Sequence, residues 1–231
     1  MSEKAAFCLY KMCYFIFASA WGYMIMLDQP YFPKVMGGNG VFDKGWDGYP
    51  YQKQDPRLKN YLLITMGYHV GGFFTHFLSS RRQSDFIEMG LHHIVAFYLY
   101  MGTYMYNSWE IGSTIALLHD LADILVNLSK VMVQTQYGLA TATVFANAMV
   151  VWFWTRLVVL PWMIYSVLVH PIEFDLPGQW FNKPFFCWLL NCMYMLHIYW
   201  FYMFCKILGK YIKKGEAEDM INKTTVTKKQ D

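Results

Sequence analysis

Long apolar runs, each able to cross a bilayer as a helix, recur along almost the whole chain. The hydrocarbon core of a bilayer is about 30 Å thick and takes roughly 20 helical residues to cross. Six runs have this length or more, at about 7–27, 58–80, 86–106, 111–133, 139–169 and 184–208. Because the connections are short, the pattern predicts an all-α fold, a polytopic membrane bundle of six transmembrane helices.

The apolar pattern ends shortly after the sixth run. We therefore expect residues 1–212 to form one transmembrane domain and residues 213–231 to form a polar, disordered tail. Lys228 and Lys229 lie fourth and third from the end, as in the dilysine signal for retrieval to the endoplasmic reticulum. Lysines in a polar tail also serve solubility, so both interpretations stay open.

Composition and charge support a membrane protein. The chain is 56% hydrophobic and 19% aromatic, and its net charge of +3 is too small to indicate a nucleic-acid partner. With six crossings both termini share a side, which also receives Arg81, Arg82 and Lys130. The basic residues of the loop at 28–57 alternate with aspartates. This modest bias predicts that both termini, and the polar tail, are cytosolic.

Two further features concern the loop and the fifth run. The loop segments DQPYF (28–32) and WDGYPYQ (46–52) are rich in aromatic residues, which we expect to anchor the chain at the lipid headgroups. The fifth run is too long for a straight crossing and contains Arg156 and Pro161. It therefore predicts a tilt or kink near Pro161.

Five ionisable residues lie inside two consecutive runs, namely His92, His93, His119, Asp120 and Asp123. An Asp at a helix centre costs about +2.5 to +3.5 kcal/mol on insertion, whereas each Leu, Ile or Val returns only about 0.3 to 0.6. These aspartates are therefore not expected to face lipid. His119 and Asp123 are four residues apart and share a helix face, so the carboxylate can orient the imidazole for acid–base chemistry.

Two other interpretations of these residues are weighed. Histidines and carboxylates also bind zinc or iron, but the adjacent His92 and His93 point about 100° apart, so we predict no metal. A buried polar network could also join helices without chemistry, as we expect for His69 and His197, while Arg156 should pair with a carboxylate or snorkel. Ionisable groups concentrated inside a membrane nevertheless favour a functional site.

Eight segments match, in order, the pattern of one known family. They are DQPYF (28–32), WDGYPYQ (46–52), SDFIEMGLHH (84–93), Asn107, Gly112, LLHDLADILVNLSK (117–130), TRLVVLP (155–161) and LHIYWFY (196–202). On these segments the chain resembles the ceramide synthases, the acyltransferase branch of the TLC-domain proteins. The resemblance extends from the first apolar run to the sixth.

The resemblance implies a TLC-type bundle around a central cavity, in the membrane of the endoplasmic reticulum. Its expected activity is transfer of a fatty acyl group from acyl-coenzyme A, the co-substrate, to the amine of a sphingoid base, with no other cofactor. His92 and His93 match the family's histidine pair, one of which would take the acyl group or the amine's proton. His119, Asp120 and Asp123 match the second polar cluster, which would position that pair. An imidazole nucleophile would divide the transfer into two easier steps.

The chain also departs from the family pattern. It has Ala96 where the family usually has Thr, Asn127 where Glu is common, and Glu110 where a basic residue is frequent. It begins near the family's second span, so we expect the amino-terminal helix to be absent. These departures favour an alternative, a non-catalytic, lipid-binding structural subunit of a larger complex, such as a respiratory assembly of the mitochondrial inner membrane. We favour the enzyme, with membrane lipids, acyl-coenzyme A and a sphingoid base as partners and a homodimer or larger complex as its assembly.

Overall fold

The computed structural model describes residues 3–78, 85–135, 137–170 and 179–214. Within these ranges the chain is helical and forms no strand, which confirms the all-α prediction. The helices are α1 (Glu3–Met26), α2 (Pro56–Leu78), α3 (Phe86–Met105), α4 (Trp109–Met132), α5 (Gly138–Trp152), α6 (Leu160–Val169) and α7 (Gln179–Lys214). Two short 3₁₀ helices, Lys34–Met36 and Phe42–Trp46, lie between α1 and α2.

The described part of each apolar run lies mainly on helical structure, but the fifth run is divided into three parts. Helix α5 continues into a π-helical segment, Phe153–Val159, which leads directly into α6. The irregularity expected near Pro161 therefore takes the form of a π-helix that ends two residues before it. Pro161 itself lies in the first turn of α6, inside the continuous stretch Gly138–Val169, where its missing N–H removes one helical hydrogen bond.

Three helical stretches of the described chain are both long enough and apolar enough to cross a membrane. They are Ala5–Met26, Trp109–Met132 and the continuous stretch Gly138–Val169. The described residues thus form a helical bundle of membrane-protein character.

Helix α4 lies at the centre of this bundle. It packs against α1, α2, α3, α5, α6 and the π segment. Its contact with α1 is close at Gly22, where a Cβ would lie 3.0 Å from the Leu117 side chain. Helix α7 packs against α3, α5 and α6, so α3, α4 and α7 surround a common interior.

The segment between α1 and α2 folds back over one end of the bundle, which we call the loop end. Tyr31, Phe32 and Trp46 are only 3%, 0% and 9% exposed and belong to the core cluster formed with α1, α4 and α6. For these three residues the prediction of headgroup anchoring is wrong, because their rings fill the space between helix ends, whereas Tyr51 of the same segment is 84% exposed and its anchoring stays a prediction. Gly38 allows this segment to turn back on itself, since a Cβ there would lie 2.3 Å from the Phe32 carbonyl oxygen.

Asn107 joins this segment to the turn between α3 and α4. It adopts a positive φ of 54°, which Asn tolerates better than most residues. Its side-chain amide donates to the Pro50 carbonyl at 2.6 Å, and its own carbonyl accepts from the Gln52 and Gln54 side chains, each at 3.0 Å. The loop end is thus fixed to the α3–α4 turn.

Several predicted features lie outside the described residues. These are Arg81 and Arg82 in the connection between α2 and α3, and Lys228 and Lys229 in the carboxyl-terminal tail.

Candidate functional site

A mainly apolar pocket occupies the half of the bundle nearest the loop end. On α3 its lining residues begin at His92, and on α4 they extend no further than Asp123, so the pocket runs from this level to Trp46 and Lys183 at the loop end. The apolar side chains include Ala96, Leu99, Ile111, Ile115, Leu190 and Met193. We call the end at His92 and Asp123 the inner end of the pocket.

The pocket is long and narrow. Along α3 it extends from His92 to Tyr106, fourteen residues on. At 1.5 Å per residue, this corresponds to about 21 Å. Near the loop end its walls pack closely, because a Cβ on Gly102 would lie 2.0 Å from the Phe186 ring and a Cβ on Gly112 would lie 2.2 Å from Thr103. Glycine at these two positions allows α3 to pack closely against α7 and α4.

The structure brings three of the five predicted site residues together at the inner end. His92, His119 and Asp123 line the pocket. His93 instead packs beside α2, where a Cβ on Gly72 would lie 3.0 Å from its ring, and Asp120 accepts a hydrogen bond of 3.3 Å from the Tyr61 hydroxyl. The adjacent histidines therefore face different surroundings.

His92 has a nitrogen that is not engaged. Its Nδ1 is buried and has no hydrogen-bond partner among the described residues. Its ring lies edge-on to Trp200 at a centroid distance of 5.4 Å and to His197 at 6.3 Å. A half-buried imidazole at the inner end of an apolar pocket is suited to react with a ligand's polar group.

His119 differs because both of its nitrogens are engaged. Its Nδ1 lies 2.7 Å from the Ile115 carbonyl oxygen, one turn earlier on α4. Its Nε2 lies 3.0 Å from Nε2 of His197 on α7. His119 therefore links α4 to α7 at the inner end.

Arg156, in the π segment, lies behind these residues and is only 1% exposed. Its Nη2 is 3.2 Å from Asp123 Oδ1 and donates to the His119 carbonyl at 2.7 Å. Its Nη1 contacts the His197 ring nitrogens at 3.2 and 3.3 Å, and its Cζ lies 4.5 Å from the centre of the Trp152 ring. The prediction that Arg156 pairs with a carboxylate is confirmed, and the buried cation is balanced by Asp123.

Sequence reasoning did not assign Arg156, His197 or His69 to the site. His197 is fully buried, as expected of a core residue, but it also bridges His119 and Arg156. His69 lines the pocket, with its ring 5.1 Å from that of Tyr100. Arg156 lies four residues after the buried Trp152, so a search of the apolar helix faces for polar residues would have found it.

The residues that depart from the family pattern have distinct positions. Ala96 lines the pocket one turn from His92, and Glu110 lies in the first turn of α4. The side-chain amide of Asn127 donates to the Asp123 carbonyl at 2.8 Å. Asn127 thus adds a side-chain hydrogen bond within α4.

The described residues contain no group of three His, Cys, Asp or Glu side chains placed to hold a metal ion. At the inner end, His119 and Asp123 instead form polar contacts with other protein groups, among them Arg156.

Comparison with known proteins identifies relatives across most of the chain. The model of the TLC domain matches residues 4–206. Ceramide synthase 4 from Bos taurus is 32% identical over 180 residues, and ceramide synthase 4 from Homo sapiens is 33% identical over 174 residues. These alignments cover 76% and 75% of this chain but 44% and 43% of the relatives, so the chain spans less than half their length. Ceramide synthase hyl-2 from Caenorhabditis elegans is 26% identical over 231 residues, covering 94% of this chain and 67% of the relative.

Proposed function

The chain belongs to the TLC-domain family, and we propose that it is a ceramide synthase-like N-acyltransferase, which transfers a fatty acyl group from acyl-coenzyme A to a sphingoid-base amine. The observation that carries the proposal is the long apolar pocket with the free imidazole nitrogen of His92 at its inner end. The relatives named ceramide synthase support this class of reaction.

The proposal includes a membrane arrangement. All six helical units, with α5, the π segment and α6 as one unit, cross the membrane of the endoplasmic reticulum, and the pocket is the central cavity. The loop end faces away from the cytosol, and the inner end of the pocket is nearer the cytosolic side. Lys130, in the last turn of α4, lies toward that side and suits the phosphates of coenzyme A.

The length of the pocket suits a fatty acyl chain. Carbon–carbon bonds of about 1.52 Å at an angle of about 111° advance an extended chain by about 1.25 Å per bond. An extended chain of about 16 carbons therefore matches the pocket in length, about 21 Å. The apolar lining stabilises each buried methylene by about 0.8 kcal/mol. With the methyl end at Trp46, the acyl carbonyl lies beside His92.

The chemistry proceeds through His92. Its nitrogen attacks the thioester carbonyl carbon, the carbon–sulfur bond breaks, and coenzyme A leaves as a thiolate. The sphingoid amine then attacks the acyl-imidazole, forms the amide bond and releases His92. The proton lost by the amine balances the thiolate, so the products are the N-acyl base and coenzyme A thiol. No cofactor other than the co-substrate takes part.

The test compares two adjacent histidines in the full chain reconstituted in liposomes with labelled sixteen-carbon acyl-coenzyme A and sphinganine. His92→Ala should lower turnover by at least about 100-fold, since a catalytic imidazole contributes about 10²–10⁴. His93→Ala is the matched control and should retain turnover within about tenfold, because His93 does not line the pocket. Thermal unfolding shows whether each variant is folded.

Loss of turnover in His93→Ala alone would contradict the assignment of His92. An unmutated chain without turnover at any acyl length would instead support the non-catalytic, lipid-binding subunit, and native-gel migration would then show its complex.

A further inference from the structure

We propose that the loop end of the pocket is a binding site for a carboxylate, held by Lys183 and Trp46, so that the protein takes acyl chains with a carboxylate in place of the terminal methyl group. The use of such chains as acyl donors rests on the proposed function. The carboxylate site itself does not, because it depends only on the groups that line the pocket.

The pocket is polar at both ends and mainly apolar between them. Its inner end has His92, His119 and Asp123. The polar lining residues of the loop end are Tyr49, Thr103, Tyr106, Ser108 and Lys183. The wall between the ends is formed mainly by apolar side chains such as those of Leu99 and Met193. A terminal methyl group forms no hydrogen bond with the loop end, whereas a chain with a polar group at each end matches the whole pocket.

Lys183, near the start of α7, is the cation at the loop end. Phe186, one turn further along α7, lies 5.6 Å from the ring of Tyr106, so Lys183 is level with the end of α3. A lysine near the end of a membrane helix commonly extends toward the headgroups. Lys183 is instead half-buried and lines the pocket, and its Nζ donates to the His170 carbonyl at 2.6 Å. An ammonium group has three N–H donors, so this contact leaves others for a ligand.

Trp46 supplies a second donor. It is only 9% exposed and lines the pocket, and its Nε1 has no hydrogen-bond partner among the described residues. An indole N–H can only donate, and it costs free energy when it is buried unpaired. The Trp46 ring stacks on that of His170, with a centroid distance of 5.8 Å and an angle of 17°. Because Lys183 donates to the carbonyl of the same His170, the two donors lie at one place.

The donors determine the chemistry of the ligand. A lysine ammonium and an indole N–H have no acceptor, so they require an oxygen that accepts. A carboxylate meets this best, since its two oxygens can accept from both groups and its charge is balanced by Lys183. No carboxylate of the described residues forms an ion pair with Lys183. A sixteen-carbon acyl chain with its carbonyl beside His92 ends at this place.

The first experiment measures binding of two sixteen-carbon probes to the full chain in lipid nanodiscs near neutral pH, by native mass spectrometry at increasing probe concentration. Monomethyl hexadecanedioate has a methyl ester at one end and a carboxylate at the other, and methyl hexadecanoate lacks the carboxylate. Lys183→Met should weaken binding of the carboxylate probe at least about tenfold and that of the methyl probe less than about threefold. Lys183→Arg should retain most of the affinity. Trp46→Phe, which keeps an aromatic ring and removes the N–H, should weaken binding of the carboxylate probe about fivefold.

Lys206→Met is the matched control. Lys206 lies on the same helix but is exposed and does not line the pocket, so both affinities should stay unchanged. Each variant is compared with the unmutated chain, so partition of a probe into lipid cancels. Thermal unfolding shows whether a variant is folded, and Lys183→Gln replaces Lys183→Met if the latter is not. An unchanged affinity for the carboxylate probe, or an equal loss for both probes, in the folded Lys183 variant would overturn the proposal.

The second experiment measures turnover with two sixteen-carbon acyl-coenzyme A substrates, one ending in a carboxylate and one in a methyl group. Lys183→Met should lower the ratio of their kcat/KM values, carboxylate over methyl, at least about tenfold. Loss of carboxylate binding in Lys183→Met with no turnover of either substrate by the unmutated chain would contradict the proposed function alone. Turnover of the methyl-ended substrate, with no effect of Lys183→Met on the carboxylate probe, would overturn the carboxylate site alone.

Discussion

Replacement of Ala116 by phenylalanine places a ring inside the pocket and should shorten the acyl chain that the protein accepts. Ala116 lines the pocket on α4, seven residues before Asp123 at the inner end. Seven residues correspond to about 10 Å along the helix, about half the length of the pocket. At about 1.25 Å per bond the space left suits roughly eight carbons.

The size of the effect follows from the methylenes that lose their burial. A sixteen-carbon chain would have about eight methylenes excluded, worth up to about 6 kcal/mol at about 0.8 kcal/mol each. Partial accommodation of the chain reduces this, so we expect kcat/KM for the sixteen-carbon substrate to fall by at least about 100-fold, equivalent to about 2.8 kcal/mol. The value for an eight-carbon substrate should change by less than about threefold.

The assay measures kcat/KM for acyl-coenzyme A substrates of increasing length in liposomes. Ala146→Phe is the matched control, since Ala146 is exposed on α5 and does not line the pocket. An overpacked core loses typically 1–3 kcal/mol of stability, so thermal unfolding must show that Ala116→Phe is folded. An unchanged ratio of sixteen-carbon to eight-carbon activity in the folded variant would refute the placement of the acyl chain.

The remaining predictions concern stability. Asn107→Ala should lower the free energy of unfolding by about 2 kcal/mol, since it removes a hydrogen bond of 2.6 Å and imposes a positive φ of 54° on alanine, whereas Asn107→Gly should cost about half as much. Burial raises the pKa of the Asp85 carboxyl, so the folded protein binds this proton more tightly than the unfolded chain does. The contribution of Asp85 to stability is greatest below the unfolded pKa of about 3.9 and is lost as pH rises through the folded value. In the unmutated chain this group therefore makes the unfolding temperature fall as pH rises. Asp85→Asn should make that fall smaller. Hydrogen bonds from Arg57 lower the pKa of Asp55, so this group makes the unfolding temperature rise with pH, and Asp55→Asn should make that rise smaller. Unchanged plots of unfolding temperature against pH in both variants would contradict these assignments.

The helices could be predicted from the sequence because their signal is local. An apolar run of about 20 residues specifies a helix whatever lies beside it. The loop aromatics were not predictable in the same way, since Phe32 and Trp46 have equal reason to lie at a headgroup or in a core. Their burial depends on the loop folding back over the helix ends, which follows from long-range contacts such as those of Asn107 with residues 50–54.

Only part of the arrangement of His92 and His93 could be predicted from the sequence. Adjacent helical residues point about 100° apart, so the sequence indicates that one histidine can face a pocket while the other cannot. It does not indicate which one. The choice depends on the rotation of α3 against α2, where Gly72 leaves room for the His93 ring and so turns His92 toward the pocket.

The sequence also does not indicate which carboxylate pairs with Arg156. A buried guanidinium requires a carboxylate, and α4 offers Asp120 and Asp123, which lie about 60° apart around the helix. The spacing of the two aspartates does not show which of them pairs with Arg156. The surrounding helices decide this, since Asp120 faces the Tyr61 hydroxyl on α2, whereas Asp123 faces the π segment that carries Arg156. Because His119 and Asp123 lie about one turn apart on α4, Arg156 reaches the Asp123 carboxylate and the His119 backbone carbonyl together. The two aspartates therefore have different tasks: Asp123 balances the cation behind the pocket, and Asp120 joins α4 to α2.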